Sequence, residues 1–517
     1  MTAPLRAVLA VDLGTGGAKA ALVAEDARIL ASAFIEYETV YPHPGWHEQR
    51  PQDWWEAVAS GTREVMSASG PAVDIAAIAL SGQSLALVPV DAELRPLLNA
   101  VPIWSDARAS VQASRFFESL PSDEWYLKTG NGFPAELYTI FEYAWLREHR
   151  PETVEPARWL LGSKDWINAR LTGQVATDHS YASGLGGYLL AEHRYDDDIL
   201  SHVGIYPDRL PPIVAATDVV GSLTPGAAAH LGLTAGIPVV AGGVDNSCMA
   251  LGAGLDAEGR CFLSLGSSNW LTIAGRDPVL DAQHRPYVFE HVLAGLQVSA
   301  FSTFGGGSSL RWLADLLGRD IPQLLEAAAE EPIGARGLIC VPTLAGGTVA
   351  EGGSDVRGAF SGLDLSHGVG AMTRAVVEGI AFSMARTAEL LAAHVAVPET
   401  IVAVGGGARS GLLLQTLADA LDRRIVAVAN DQHAAALGAA ALGFLGVSLW
   451  EDTEPLRRAL HSTRQFTPDA RHRDVLTAAR NAFDEASEST RRESDGLKAL
   501  RLISHTRPEE NNAPEHH

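Results

Sequence analysis

Two stretches of this chain carry one pattern half a chain apart. Residues 10–21, "AVDLGTGGAKAA", and residues 263–274, "LSLGSSNWLTIA", share a Leu-Gly-Thr/Ser core in register. Each reads as an apolar strand, a turn of small residues and a returning strand, which is a β-hairpin with a glycine corner. Its repetition implies two related halves. At 517 residues the chain is also too long for a single hydrophobic core. The boundary falls near "ALGAGLDAEGR" (250–260). The expected domains are 1–254 and 255–480, followed by a polar, largely disordered tail over 481–517.

The segments around each hairpin extend the expectation. "AVLAVD" (7–12), "AKAALV" (18–23) and "RILASAF" (28–34) predict an antiparallel meander. A helix is expected over 51–69 and a buried strand over 75–82. In the second half, "FGGGSSLRWLADLL" (304–317) predicts a glycine turn feeding a helix started by Ser308 or Ser309. Residues 400–421 predict a strand, a triple-glycine turn and a helix. "HAAALGAAALGFLG" (433–446) predicts a helix of small residues able to approach another backbone. The fold class is therefore α/β.

Charge narrows the partners. The chain has 39 Lys and Arg against 62 Asp and Glu, a formal charge of −23, with no basic run. That disfavours nucleic acid or an anionic membrane as partner. The three cysteines, Cys248, Cys261 and Cys340, lack ligand spacing and read as buried residues of a reducing compartment. No apolar run reaches the ~20 residues of a membrane span, and no signal peptide is evident. The expectation is a cytoplasmic enzyme.

The first glycine corner resembles a phosphate loop without being a P-loop. That motif needs Gly-Lys-Ser/Thr leading into a helix, whereas Lys19 is followed by Ala20 and a strand pattern. What remains is a corner whose N–H groups at 14–17 and Thr15 hydroxyl can face an anion. Asp12 makes sense beside phosphates if Mg2+ or its waters intervene.

The segment "VVAGGVDNSCMALGAG" (239–254) puts Asp245 at a loop tip after two glycines. It resembles the GGxDN loop of the FGGY family of carbohydrate kinases. Collinear matches run from about residue 6 to 445. They include "GWHEQRPQDWW" (45–55), "SGQ" (81–83), "PIWSDARA" (102–109), "SKDWINARLTG" (163–173), "ATDHSYASG" (176–184), "RGAFSGLDL" (357–365), "TRAVVEGIAFSM" (373–384), "VGGGARS" (404–410) and "ALGAA" (436–440). Within the family, the "HEQ...WW" and "GGGARS" segments are most similar to xylulokinases.

The resemblance implies two actin-like, ribonuclease-H-type domains with the active site between them. It implies an ATP- and Mg2+-dependent kinase acting on a primary hydroxyl of a ketopentose, D-xylulose first, with a homodimer as family habit. Asp245 would be the catalytic base and Asp12 would organise Mg2+ through water. Gln83, Trp104, Asp106 and Arg108 would join Asp245 around the sugar, with Arg108 alternatively bracing Asp106 and Trp104 alternatively in the core. Gly14, Thr15 and Gly16 would hold phosphate from one side, and Gly266, Ser267 and Ser268 from the other. Gly305 and Gly306 would line the nucleotide cleft, with Gly406, Gly407, Ala408 and Ser410 carrying the adenosine.

Three departures bear on the acceptor. Ser84-Leu85 stands where xylulokinases carry Met-His. The loop "LAGGTVAEGG" (344–353) lacks the usual acidic-basic pair and Thr-Pro, and Glu142 replaces a common lysine. A kinase for ribulose, gluconate or another polyol therefore stays open. So do a non-catalytic actin-like ATP-binding module and a degenerate sugar binder.

Overall fold

The computed structural model describes residues 5–69, 73–429 and 431–505. The meander is present as β1 (Leu5–Leu13), β2 (Gly17–Ala24) and β3 (Ile29–Glu36), followed by α1 (Pro51–Ser69) and β4 (Val73–Gly82). β5 (Val219–Ser222) and β6 (Pro238–Val244) complete a six-stranded sheet of order β5-β6-β4-β1-β2-β3. β1, β4 and β6 run parallel, while β2 and β3 are antiparallel additions. β2 is buried along nearly its whole length because α1 covers one face of the sheet. The short helix α2 (Asp245–Gly252) leaves the end of β6.

The second sheet repeats that order. β7 (Cys261–Leu265) and β8 (Asn269–Gly275) form the second hairpin. β9 (Tyr287–Glu290) and β10 (Gln297–Thr303) continue it, and then come α3 (Gly307–Leu317) and α4 (Val369–Ala392). β11 (Thr400–Val404), α5 (Gly411–Leu421) and β12 (Arg424–Val428) add the parallel part. With a final strand β13 (Ser462–Phe466), the order is β9-β10-β8-β7-β11-β12-β13. Three meander strands followed by two parallel ones, β3-β2-β1-β4-β6 and β10-β8-β7-β11-β12, are common to both halves. The hairpin repeat in the sequence is the visible part of that duplication.

A helix from the second half returns to the first sheet. α6 (Ala434–Gly446) buries Ala436, Leu437, Ala440 and Phe444 against Val8, Ala10, Ala79 and Val240. Its small residues are a steric requirement, since a Cβ on Gly443 would lie 2.7 Å from Val8 Cγ1. Among the described residues no helix is long and apolar enough to cross a membrane.

Two expectations need correction. α3 begins at Gly307 without any side-chain cap. Ser308 Oγ instead donates to Ser267 O (2.9 Å) and Ser309 Oγ to Pro342 O (2.8 Å). The segment from 481, expected to be a disordered tail, is helical as far as His505 within α7 (Arg473–His505). Leu476, Ala479 and Phe483 lay one apolar stripe of α7 against Ile339, Val341 and Phe382. Residues 506–517 lie outside the described residues.

Candidate active site

The parallel strands β1, β4 and β6 end together. Register pairs Asp12 with Ser81, Leu13 with Gly82, and Val244 with Gly82. Side chains just past these ends share the crevice where α/β sheets bind ligands. Gly242 makes the exit of β6 possible: at φ +71 it sits in a register shift, and a Cβ there would lie 1.9 Å from Leu80 O. Asp245 follows as the first residue of α2, its Oδ1 accepting Asn246 N–H (2.7 Å).

Asp12 and Asp245 face a common space. Burial pushes the Asp12 carboxyl up, opposed by its 2.8 Å bond from Ser81 Oγ and by the charge of Lys19. Burial and then the charge of Asp12 push Asp245 up to about 7. Tyr37 senses both carboxylates: burial and their charges raise its phenol, which donates to Gly14 O. A pair of carboxylates that disfavour each other's charge is short of a cation.

The two glycine corners frame this pair. In the first, Gly14 N–H bonds Gly17 O (3.1 Å), Gln49 Nε2 holds Thr15 O (2.7 Å), and Trp104 Nε1 donates to Thr15 Oγ1 (2.8 Å). In the second, Gly307 N–H bonds Gly266 O (2.9 Å) and Ser308 N–H bonds Ser267 O (3.2 Å), so 266–268 and 305–308 form one unit. The turn at 405–410 packs beside it, with Gly405 at φ +93 against Leu265 O. Glu351 pins this side from below, its Oε2 accepting N–H from Phe304 (2.9 Å) and from Thr348 (3.0 Å).

Comparisons with known proteins identify the family and the fold. Models of the FGGY family of carbohydrate kinases match twice, the N-terminal domain over residues 7–252 and the C-terminal domain over 261–447. The chain belongs to the FGGY family of carbohydrate kinases. It is 30% identical over 501 residues to the xylulose kinase of Bacillus subtilis, covering 96% of this chain and 100% of that one. The gluconokinase of the same organism is 27% identical, covering 89% of this chain and 91% of its own. The crystal structure of xylulose kinase from Rhodospirillum rubrum superimposes with a TM-score of 0.86 at 28% identity, covering 95% of this chain and 100% of that chain. The two-domain actin-like fold and an ATP-dependent sugar kinase are thus established for this chain.

In this kinase several expected ligand residues are occupied by the protein itself. Asp106 is wholly buried and all four of its lone-pair directions are taken, by Arg108 N (3.0 Å), Nε (2.8 Å) and Nη2 (2.7 Å) and by His47 N (2.7 Å). Arg108 also bonds Glu48 (2.7 Å) and lies 3.9 Å over the Trp46 ring. The pair is a clamp under the loop, the bracing arrangement that the sequence left as the alternative. Only Trp104 of that loop reaches out. Ala408 is likewise spent: its methyl is buried, its N–H bonds Gly405 O (3.0 Å) and its carbonyl accepts Arg464 (2.6 Å). Ser410 caps α5 by accepting Leu413 N–H (3.2 Å). Gly406 is exposed and Gly407 half-buried.

Gln83, expected beside the sugar, is buried next to Gln49. Its Nε2 donates to Gln49 Oε1 (2.8 Å), and its buried Oε1 has no protein partner. Lys19 reaches the other half, donating to Gln432 O (2.5 Å).

Two groups escaped the sequence reading. Lys164, fully buried, pairs with Asp165 (2.5 Å) and Asp178 (2.9 Å). Asp178 accepts from the Ser180 hydroxyl, whose oxygen in turn accepts Val244 N–H (3.0 Å) next to Asp245. The quoted segments "SKDW" and "TDHS" contained the signal, a lysine and two aspartates in apolar surroundings. The second group is aromatic: Phe133 stacks on Tyr287 (4.4 Å) and meets Trp270 edge-on (5.6 Å), joining the halves beside Ser84 and Asp245. Nothing in their spacing links these three residues.

Proposed function

We propose that this kinase transfers the γ-phosphoryl of ATP to the primary hydroxyl of a ketopentose, with D-xylulose as the acceptor. The observation that carries the reading is the Asp12–Asp245 pair at the carboxyl ends of three parallel strands, framed by two backbone-rich glycine corners. Relatives named xylulose kinase support the acceptor, and the gluconokinase relative marks its main rival.

Asp245 accepts the proton of the attacking hydroxyl, for which a carboxylate poised near neutrality is suited. The N–H groups of Thr15 and Gly16 and the Thr15 hydroxyl face the phosphates from one side, with the Gly14 N–H closing the corner onto Gly17 O, and the Ser267 and Ser268 turn, backed by the close-approaching Gly266, Gly305 and Gly306 backbone, faces them from the other. Gly406 and Gly407 lie along the adenosine, where the absence of side chains allows close approach. Gln83 accepts a sugar hydroxyl on its free Oε1, and Trp104 covers the sugar. Among the described residues no cluster of three or more His, Cys, Asp or Glu forms a cage. Asp12 would hold Mg2+ through water, with phosphates as its other ligands, which leaves Asp245 to the proton. When bound, the ion neutralises phosphate charge. The buried, unpaired Cys248, Cys261 and Cys340 support a cytoplasmic setting.

ADP release measured across ketoses, aldonates and polyols tests this. D-xylulose should give the highest kcat/KM, and Asp245→Ala should lose roughly 100-fold or more in kcat. A preference for gluconate would reassign the acceptor. Undiminished turnover in the variant would remove Asp245 from the chemistry.

A further inference from the structure

Residues 132–135 of the first half face residues 284–304 and 347–354 of the second across a chamber of about 390 Å3 that the roles above leave unused. Phe133, Tyr287, Phe301 and Phe304 give it aromatic walls, and Val349 stands at its mouth. Tyr287 and Phe301 are buried, whereas Phe304 is 36% and Val349 55% exposed, so the chamber is closed at its base and open outward. Tyr287 connects it to the reaction site: its hydroxyl sits with Leu85 at the Gly184 turn, its strand is tied at Glu290 O to Ser247 two residues past Asp245 (2.7 Å), and burial with the charge of Asp245 raises its phenol.

A subsite for a bare sugar needs dense hydrogen-bonding groups, whereas the charged side chains here are committed elsewhere, leaving the scattered hydroxyls of Ser302, Thr348 and Ser354 among aromatic and apolar walls. Arg285 lines it but its guanidinium is committed to Ser122 (2.9 Å) and Asp123. His284 is bonded to Asp281 (2.8 Å). Two of the three departures from the family pattern meet at this wall. The loop lacking the acidic-basic pair contributes Gly347, Thr348 and Val349, and Ser84, standing where xylulokinases have Met, lies beside Tyr287. The loop exchange leaves uncharged, mostly small or apolar groups on that wall.

We propose that the chamber is a specificity subsite for an apolar substituent on the acceptor, aromatic or alkyl, at the end remote from the phosphorylated hydroxyl. The substrate class is then a ketopentose-like head carrying a hydrophobic group. This rests on the ketopentose reading: D-xylulose fills the head position and leaves the chamber to water, while a substituted xylulose fills both.

The test compares D-xylulose with 1-O-benzyl-D-xylulose, which keeps the 5-hydroxyl free. Turnover is read by ADP release. Binding is read by calorimetry in an Asp245→Ala background, where turnover is removed and the chamber kept. The benzyl compound should show kcat/KM about tenfold higher or more, as apolar pocket contacts of one or a few methylenes already give, and correspondingly tighter binding. Val349→Trp, at an exposed position that tolerates bulk, should erase that advantage and leave D-xylulose turnover unchanged. Equal or poorer binding of the benzyl compound, or a Val349→Trp effect equal on both sugars, overturns the subsite. Turnover of neither sugar with the binding preference intact overturns the ketopentose reading alone.

Discussion

Glu351 accepts N–H bonds from two loops on one oxygen, and burial raises its carboxyl against the effect of those bonds. Glu351→Ala would strand both donors, at about 1–3 kcal/mol each. The Phe304–Gly307 turn should loosen, so KM for ATP should rise several-fold in steady-state kinetics while KM for sugar holds. Glu351→Gln keeps a carbonyl acceptor and should recover most of the loss. A different residue contributes to the acid side of the stability profile. Burial lowers His291 from 6.5 to about 4, only partly offset by Leu255 and Asp256. Below pH 6.5 the unfolded chain takes a proton at this position that the native chain refuses, so the His291 contribution falls by about 3 kcal/mol as pH drops from 6.5 towards 4, while the raised carboxyl of Asp245 works in the opposite sense over the same window. Urea titrations should therefore show His291→Gln gaining stability relative to the parent as pH falls through that window. At this scale the sequence exposed Asp12 and Asp245, since carboxylates after apolar runs and glycines stand at strand ends. It could not show that Asp106 belongs to Arg108, because a three-residue motif does not say whether its charges face each other or a ligand.

Helices α2 and α6 approach so closely that glycine is required in both. A Cβ on Gly252 would lie 1.7 Å from Ala434 O, and one on Gly438 1.9 Å from Cys248 O. Gly438→Ala must push the helices apart, at a cost of about 1–3 kcal/mol, and because α2 begins with Asp245 it should lower kcat as well. Gly496 on α7 is the control. Nothing lies within 4 Å of its Cβ position, so Gly496→Ala should instead stabilise by up to about 1 kcal/mol. Thermal melts with activity assays separate the two outcomes. The small-residue pattern of α6 was legible in the sequence, but its partner was not: periodicity describes a face and not what covers it. α7 was misread for a related reason. Its polar, charged composition dominated the Leu476, Ala479 and Phe483 stripe, whose burial depends on Phe382 nearly a hundred residues away. Strands fared better, because the meander is local and each strand's alternation or apolar run needs only its neighbours.

Two sheets of one strand order, joined through α6 and the Phe133–Tyr287 contact, each carry one glycine corner at the turn of their first hairpin. The duplication was visible because hairpins are short-range; the return of α6 to the first sheet was not, since it pairs the two ends of the chain. The whole molecule also carries a field. With 39 basic against 62 acidic residues, and with Lys19 and Arg108 near the site already bonded to protein groups, long-range electrostatics repel an anionic nucleotide. On the proposed reading, binding depends on short-range N–H groups and the cation, while approach is slowed by like charge. Salt screens the approach more than the contacts: the Debye length falls from roughly 30 Å at 0.01 M to about 8 Å at 0.15 M. Accordingly kcat/KM for MgATP should rise with ionic strength over that range, whereas kcat/KM for an uncharged sugar should stay flat. Stopped-flow binding of a fluorescent ATP analogue would place the gain in the association rate. A fall in that rate with added salt would mean that a local positive field at the cleft outweighs the net charge of the molecule.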